Sequence, residues 1–309
     1  MRGISVYAAM IVKIGIIGAG VFGNYHAQKI ALNEHAKLVG FYDANSQKSS
    51  KRAKAHNCQF FLELQTLLDR VDAVIIASPA SAHYNDGLRA LKAGKHCLIE
   101  KPLATCANEA ENLIQIAEAK NLVLQVGHQE RFVLKAIGID KIKVRPLSIK
   151  TQRFSPFSPR GTDISVTLDL MIHDIDLAIW LMGSSPDLIK SYSHSLVTDQ
   201  SDMSLAFLDF GVGKARLDAN RDAVQSKRKL SIEYPQGRIQ LDFLTKICEN
   251  TTPFGINEGF ITDMRAQDPL RAADDAYISA IRNGTPICVT GQDGLIALQT
   301  ALKIDHSAP

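Results

Sequence analysis

The stretch that most restricts the fold reads IVKIGIIGAGVFGNYHA, where Gly18, Gly20 and Gly23 stand as G-x-G-x-x-G behind an apolar, β-branched run. Glycines turn chains for many reasons. Here the run before them predicts a buried strand and the residues after them a helix, and that setting gives the spacing its meaning. Gly18 permits a tight turn, Gly20 lets the backbone approach a pyrophosphate, and Gly23 lets helix lie close on strand. The N–H groups of the first helical residues, Val21 and Phe22, and the helix dipole favour phosphate there. Asp43 closes the next apolar run, 20 residues after Gly23. A carboxylate at that distance accepts hydrogen bonds from the adenosine ribose of NAD. It repels a 2′-phosphate, so NAD is favoured over NADP, although Lys48 and Lys51 are close in sequence.

The same alternation continues. Strand-like runs at 37–43, 72–78, 95–101 and 122–128 are separated by helical patterns ending near Leu32, His56 and Ala93 and by an amphipathic stretch over 107–120. Near-continuous apolar strands between helices predict a parallel sheet covered on both faces. After about residue 128 the texture changes. PLSIKTQRFSPFSPRG is strand-like and then rich in Pro and Ser, 203–221 and 228–243 read as hairpins, and the end is helical. Hairpins side by side predict an antiparallel sheet. The expected fold is therefore α/β: a doubly wound Rossmann domain over residues 10–128, then an α+β domain over 129–309, with residues 1–9 as an extension.

Composition excludes several classes. The 309 residues are 46% hydrophobic and 22% charged with a net charge of +3, an ordinary globular profile. The densest basic cluster, SKRKL at 226–230, reads as a solvated strand end, so no nucleic-acid partner is expected. No segment is long and apolar enough to span a bilayer, and no membrane partner is expected. Cys58, Cys97, Cys106, Cys248 and Cys288 are dispersed without metal-type spacing, which suits reduced thiols in the cytoplasm.

The segment SPASAHYNDGLRALKAGKHCLIEKPLA, with Glu100-Lys101-Pro102, closely resembles the glucose-fructose oxidoreductase/inositol dehydrogenase/rhizopine-catabolism family. From about Met10 onward the glycine loop, the EKP tripeptide and a D-x-x-x-H (Asp169, His173) occur in family order. The resemblance implies an open-faced, mostly antiparallel sheet in the second domain and a homodimer or homotetramer formed through it. It also implies oxidation or reduction of a sugar, cyclitol or nucleotide sugar, with Lys101 beside the reacting hydroxyl and His173 and Asp169 completing the catalytic set. Ser78, Pro79, His83 and Glu100 are expected along the cofactor. VGHQERF and VTLDLMIHDIDLAIWL resemble UDP-N-acetylglucosamine 3-dehydrogenases, which make a 3-keto sugar. Two departures concern the substrate loop: GTDISVT, before and into the D-x-x-x-H helix, has a single glycine, and RFVLKA lacks an Asn-Pro.

Chemistry supports these assignments from the residues themselves. Oxidising a secondary alcohol sends a hydride to the nicotinamide while a base takes the hydroxyl proton. A neutral imidazole suits that task near pH 7, so His173 is the expected base. The Lys101 ammonium is suited to stabilising alkoxide charge on the same oxygen. Asp169, one helical turn before His173, either binds a neighbouring sugar hydroxyl or orients the ring. Asp176 reads as packing support. His128, Arg131 and Arg160 are further substrate-binding candidates, the arginines for an anionic diphosphate. A metal reading of D-x-x-x-H-D-x-D has one histidine and no second ligand cluster behind it, so none is expected. The alternatives are a free cyclitol or monosaccharide dehydrogenase and a regulatory protein that binds NAD without turnover.

Overall fold

The computed structural model describes residues 11–307, so the expected extension at 1–9 lies outside the described residues. The chain divides into two compact units, one running through Gln129 and resuming over Asp268–Gly294, the other formed by Glu130–Gln267 and the residues from Leu295 onward.

The first unit alternates β1 (Val12–Ile17), α1 (Val21–Ile30), β2 (Ala36–Tyr42), α2 (Ser46–Ala55), β3 (Gln59–Phe61), α3 (Leu64–Leu68), β4 (Ala73–Ile76), α4 (His83–Lys92), β5 (His96–Ile99), α5 (Ala107–Ala119) and β6 (Leu124–Val126). Its sheet runs β3-β2-β1-β4-β5-β6, every pair parallel. The doubly wound expectation is met, with one strand more than the sequence reading supplied. β3 is three residues long with Phe60 exposed, too short for its alternation to register. Val12, Ile14, Ile16, Ile75 and Leu98 form the core, each fully buried side chain contributing about 1.5–3 kcal/mol.

The second unit contains α6 (Glu130–Ile137), β7 (Ser148–Phe154), α7 (Ile172–Met182), β8 (Leu188–His194), β9 (Met203–Asp209), β10 (Lys214–Asn220), β11 (Lys227–Tyr234), β12 (Gly237–Asp242), β13 (Ile247–Asn250) and the short α8 (Met264–Gln267). The seven strands run β13-β12-β11-β7-β10-β9-β8. Both expected hairpins are present as β9–β10 and β11–β12, and only β7 and β10 pair in parallel. Alternation decides the faces. Ile149, Thr151, Arg153, Leu217 and Leu230 are buried on the face that carries α7, while Lys150, Arg216 and Lys229 are exposed on the other. The basic SKRKL segment is indeed a solvated strand end, at the start of β11.

The contiguous domain division needs correction. Helix α9 (Pro269–Asn283) belongs to the first unit, and α10 (Gly291–Ser307) begins there before continuing into the second. The reason is the apolar face of α9. Tyr277 and Ile278 join the core of the first sheet, and the Tyr277 hydroxyl donates to the Val74 carbonyl at 3.1 Å. The helix is locally well specified. Asp268 caps it by accepting from the Arg271 N–H at 3.1 Å, Pro269 is its first residue, and Gly284 leaves it at φ +65°.

Candidate active site

In the first unit, β1 delivers the chain into the glycine loop. Gly18 takes φ +99°, and its N–H donates to the Tyr42 carbonyl at 2.8 Å. A side chain on Gly23 would fall onto the Gly18 carbonyl oxygen, so close packing of α1 demands glycine there. Gly20 differs, because a Cβ at that position meets only open space. Its glycine is therefore not required by the fold, which is the fit expected where a pyrophosphate must approach the backbone. Val21 and Phe22, partly exposed, open α1 beside it. Accordingly, Gly20→Val is expected to lower NAD affinity at least about tenfold with an unchanged urea midpoint. Gly23→Ala should lower the midpoint itself. Equilibrium NAD titration and urea unfolding of both variants test this contrast.

Asp43 has two tasks. Its Oδ2 accepts from the Ala19 N–H at 2.7 Å and its Oδ1 from the Asn45 N–H at 2.8 Å. Each carboxylate oxygen has a second lone pair, so pinning the glycine loop leaves acceptor capacity for ribose hydroxyls. Arg52 holds the loop as well, donating to the Ala19 carbonyl at 3.2 Å and to Asn24 Oδ1 at 3.2 Å. No spacing rule singled out Arg52.

Beyond β4 and β5, two residues expected along the cofactor have protein partners. His83 is 2% exposed, with Nδ1 2.7 Å from the Pro102 carbonyl and Nε2 2.9 Å from the Ser78 carbonyl. Burial pushes its pKa down against the pull of the two carbonyls, and the ring, whose neutral form donates to one carbonyl at a time, sits between the Ser78-Pro79 turn and the EKP turn. Ser78 itself donates from Oγ to Asp86 at 2.8 Å. Glu100 is also buried. Its Oε1 lies 3.1 Å from His26 Nε2 and receives Gln129 Nε2 at 3.2 Å, and its Oε2 receives the Lys101 N–H at 3.3 Å. A side chain on Gly127 would collide with this carboxylate. Glu100 thus holds the turn that presents Lys101, which is itself half-buried.

His26, on α1, is the residue in this unit that sequence reasoning missed. It is fully buried, and its Nδ1 sits 2.8 and 3.0 Å from the two oxygens of Asp274 on α9. With carboxylates on both ring nitrogens, both must donate. Burial works against the charged ring, but Asp274 and then Glu100 outweigh it and raise the pKa to about 10.

In the second unit, Asp169 lies in a π-helical turn over Thr167–Met171 that leads into α7, a local widening common at functional sites. Its carboxylate rests against Gly161, at φ +72°, where a Cβ would come within 2.7 Å of Oδ2. The single glycine of GTDISVT is therefore where the packing needs one. Arg221 secures the segment by donating to the carbonyls of Gly161 at 2.8 Å, Ile164 at 2.7 Å and Ser201 at 3.0 Å. Arg160 is exposed in the adjoining turn.

Each polar residue of the HDID segment has a partner. His173 Nδ1 lies 2.7 Å from Glu130 Oε2 on α6. Arg153 on β7 forks onto Asp174 through Nε at 3.1 Å and Nη2 at 2.8 Å, and its Nη1 donates to Glu130 Oε1 at 2.9 Å. Arg131 forks onto Asp176 at 2.8 and 2.6 Å and lies over the Trp180 ring, 5.4 Å from its centroid. Asp176 thus has the packing role read from sequence. Arg131, expected as a diphosphate candidate, is 3% exposed and forked on a buried carboxylate. His128, expected as a substrate contact, lies in the first unit and is 2% exposed.

Comparison with known proteins places these features. The model of the GFO_IDH_MocA oxidoreductase family, NAD-binding Rossmann fold, matches residues 12–128. Over its length the chain is 33% identical to the UDP-N-acetylglucosamine 3-dehydrogenase of Acidithiobacillus ferrooxidans, covering 94% of this chain and 96% of that one. The chain belongs to the GFO_IDH_MocA oxidoreductase family. A solved structure of the Acidithiobacillus enzyme superposes with a TM-score of 0.88 at 32% identity, covering 96% of this chain and 97% of that one. The inositol 2-dehydrogenase of Rhizobium meliloti is 26% identical over 94% of this chain and 95% of its own. The WlbA dehydrogenase of Bordetella pertussis, solved with NADH and UDP-GlcNAcA, shares the fold at a TM-score of 0.87 and 18% identity, covering 97% and 96%. This family member is an NAD-binding oxidoreductase, and its glycine loop and Asp43 fit that cofactor. Among the described residues no helix is long and apolar enough to cross a membrane.

Proposed function

We propose that the protein is an NAD-dependent dehydrogenase of a nucleotide sugar, oxidising C3 of UDP-N-acetylglucosamine to the 3-keto sugar. The identity over nearly the full length to an enzyme of that name supports the substrate. The observation that carries the reaction is the setting of the two proton-handling groups. Lys101 follows β5 in a turn locked by Glu100, and His173 enters α7 on a buried ion-pair lattice with its side chain 14% exposed. When bound, NAD supplies the hydride acceptor. His173 takes the hydroxyl proton, Lys101 stabilises the alkoxide as it forms, and Asp169 binds a neighbouring hydroxyl. Arg160, with Arg131 committed elsewhere, remains the candidate for the diphosphate.

Five cysteines without a disulfide among them fit a cytoplasmic enzyme. We assign the exposed face of the seven-stranded sheet to a homodimer or homotetramer contact. Thermal-shift measurements with UDP-N-acetylglucosamine, UDP and myo-inositol, each with NAD, test the substrate. Stabilisation by the first two with NADH formation from the sugar nucleotide is expected. Stabilisation by inositol without UDP would move the protein to the cyclitol dehydrogenases, for which the Rhizobium relative speaks.

A further inference from the structure

The pair formed by Glu130 and His173 was visible in no motif, and it determines which nitrogen of the imidazole does chemistry. Glu130 Oε2 is 2.7 Å from Nδ1, with both side chains 14% exposed. The carboxylate is not a mobile partner. Its other oxygen is held by Arg153 at 2.9 Å, and Arg153, 5% exposed on the buried face of β7, is itself forked onto Asp174. Glu130 and Arg131 are neighbours on α6, and they meet His173 and Asp176, three residues apart on α7. Two adjacent pairs therefore set the position of α6 against α7, and with it the orientation of the ring.

The charges of this cluster are arranged in one sense. Asp174 takes two of the Arg153 nitrogens, so that arginine is largely neutralised, and the remaining carboxylate faces the imidazole. Arg228 on β11 adds a positive charge nearby, its own pKa lowered by burial and by Arg153. Burial opposes ionisation of Glu130, yet His173 and Arg153 hold its carboxyl well below the ordinary carboxylate range. A fixed anion at Nδ1 selects the tautomer that carries its proton there, which turns the lone pair of the neutral ring onto Nε2. It also favours the imidazolium that forms when the ring takes a proton.

We infer that Glu130, clamped by Arg153, is a positioning residue that holds His173 in its Nδ1–H tautomer and stabilises the imidazolium formed during sugar oxidation. The inference rests on His173 being the proton acceptor. In the step concerned, the substrate O–H bond breaks and its proton forms a bond to Nε2. The carbon's hydride leaves with both electrons to NAD⁺, and the C–O bond becomes a carbonyl. Glu130 stays ionised throughout, and no proton passes to it. Asp169, the residue that sequence alone offered as the orienter, is left to the sugar.

The test does not depend on turnover. ¹⁵N-imidazole NMR of the NAD-bound protein, with His173 assigned by its disappearance in His173→Ala, should show the Nδ1–H form in the neutral ring. Glu130→Gln should mix or reverse the tautomers. An Nε2–H ring in the wild-type protein, or a tautomer indifferent to Glu130→Gln, would overturn the inference. With UDP-N-acetylglucosamine as substrate, Glu130→Gln should lower kcat about 10–100-fold with KM within about threefold, as loss of a group that orients a reacting residue does. Glu130→Asp, which keeps the charge and retreats by one methylene, should recover part of kcat and the wild-type tautomer. If Glu130→Gln fails to fold, judged by NAD binding, the aspartate variant decides, a wild-type kcat in it counting against the role. An inactive His173→Ala beside a fully active Glu130→Gln sinks this inference alone, whereas an active His173→Ala sinks the reading beneath it.

Discussion

Replacing His173 by alanine is expected to lower kcat by a factor of about 10²–10⁴, the usual contribution of a positioned general base, with NAD affinity unchanged. The ring enters α7 in the second unit, held at Nδ1 by Glu130, whereas the nucleotide loop belongs to the first unit. Lys101→Ala should produce a loss of similar order, because the ammonium and the imidazole act on one oxygen in the proposed reaction. The double variant should then fall well short of the product of the two losses, since groups that act as a unit are not additive. Steady-state NADH formation from UDP-N-acetylglucosamine, beside NAD titration of each variant, measures both quantities. Near-normal turnover in both single variants would exclude the assignment.

His26→Leu should destabilise the protein by about 3–5 kcal/mol, the cost of removing one partner from a buried ion pair. The substitution leaves Asp274 and Glu100, 1% and 6% exposed, facing an apolar side chain. Urea unfolding reads the loss directly, and a change under about 1 kcal/mol would show that the imidazolium bears little of the load. The pH dependence carries a definite sign. The folded-state pKa of His26, raised to about 10, exceeds the ordinary value of 6.5. Its contribution is therefore complete below pH 6.5 and is lost as pH rises through about 10. Asp274, whose own carboxyl is pushed up by burial, acts in the same sense at lower pH, its contribution too being lost as pH rises above the ordinary carboxylate range. The urea midpoint of the wild-type protein should fall between pH 8 and 10 more steeply than that of His26→Leu.

Part of the site was open to sequence reasoning because it is local. The roles of Gly18 and Gly23 follow from turn geometry and helix packing within a few residues, and both hold in the structure. Asp43 ends its strand as the spacing required. The strands of the first sheet show as apolar runs because both faces are covered, and the hairpins of the second sheet as alternation interrupted at turns.

The remaining features depend on chain segments that meet only after folding. His26 and Asp274 are 248 residues apart, and Arg153 and Asp174 are 21 apart. No periodicity relates such positions. The resemblance implies His83 and Glu100 along the cofactor and charge suggests Arg131 for a diphosphate, but sequence does not show the protein partner that each has. Burial selects those partners, since a charge removed from water is retained only with a partner beside it. The return of α9 to the first unit has the same origin: its apolar face is legible, but not the sheet on which it lies. Sequence thus determined the doubly wound class and the NAD loop, both written in short-range geometry, while the candidate acid–base pair came from the family resemblance. Tertiary structure decided which charged groups are spent on each other, because pairing across distant segments is settled by desolvation and contact, which leave no trace in local order.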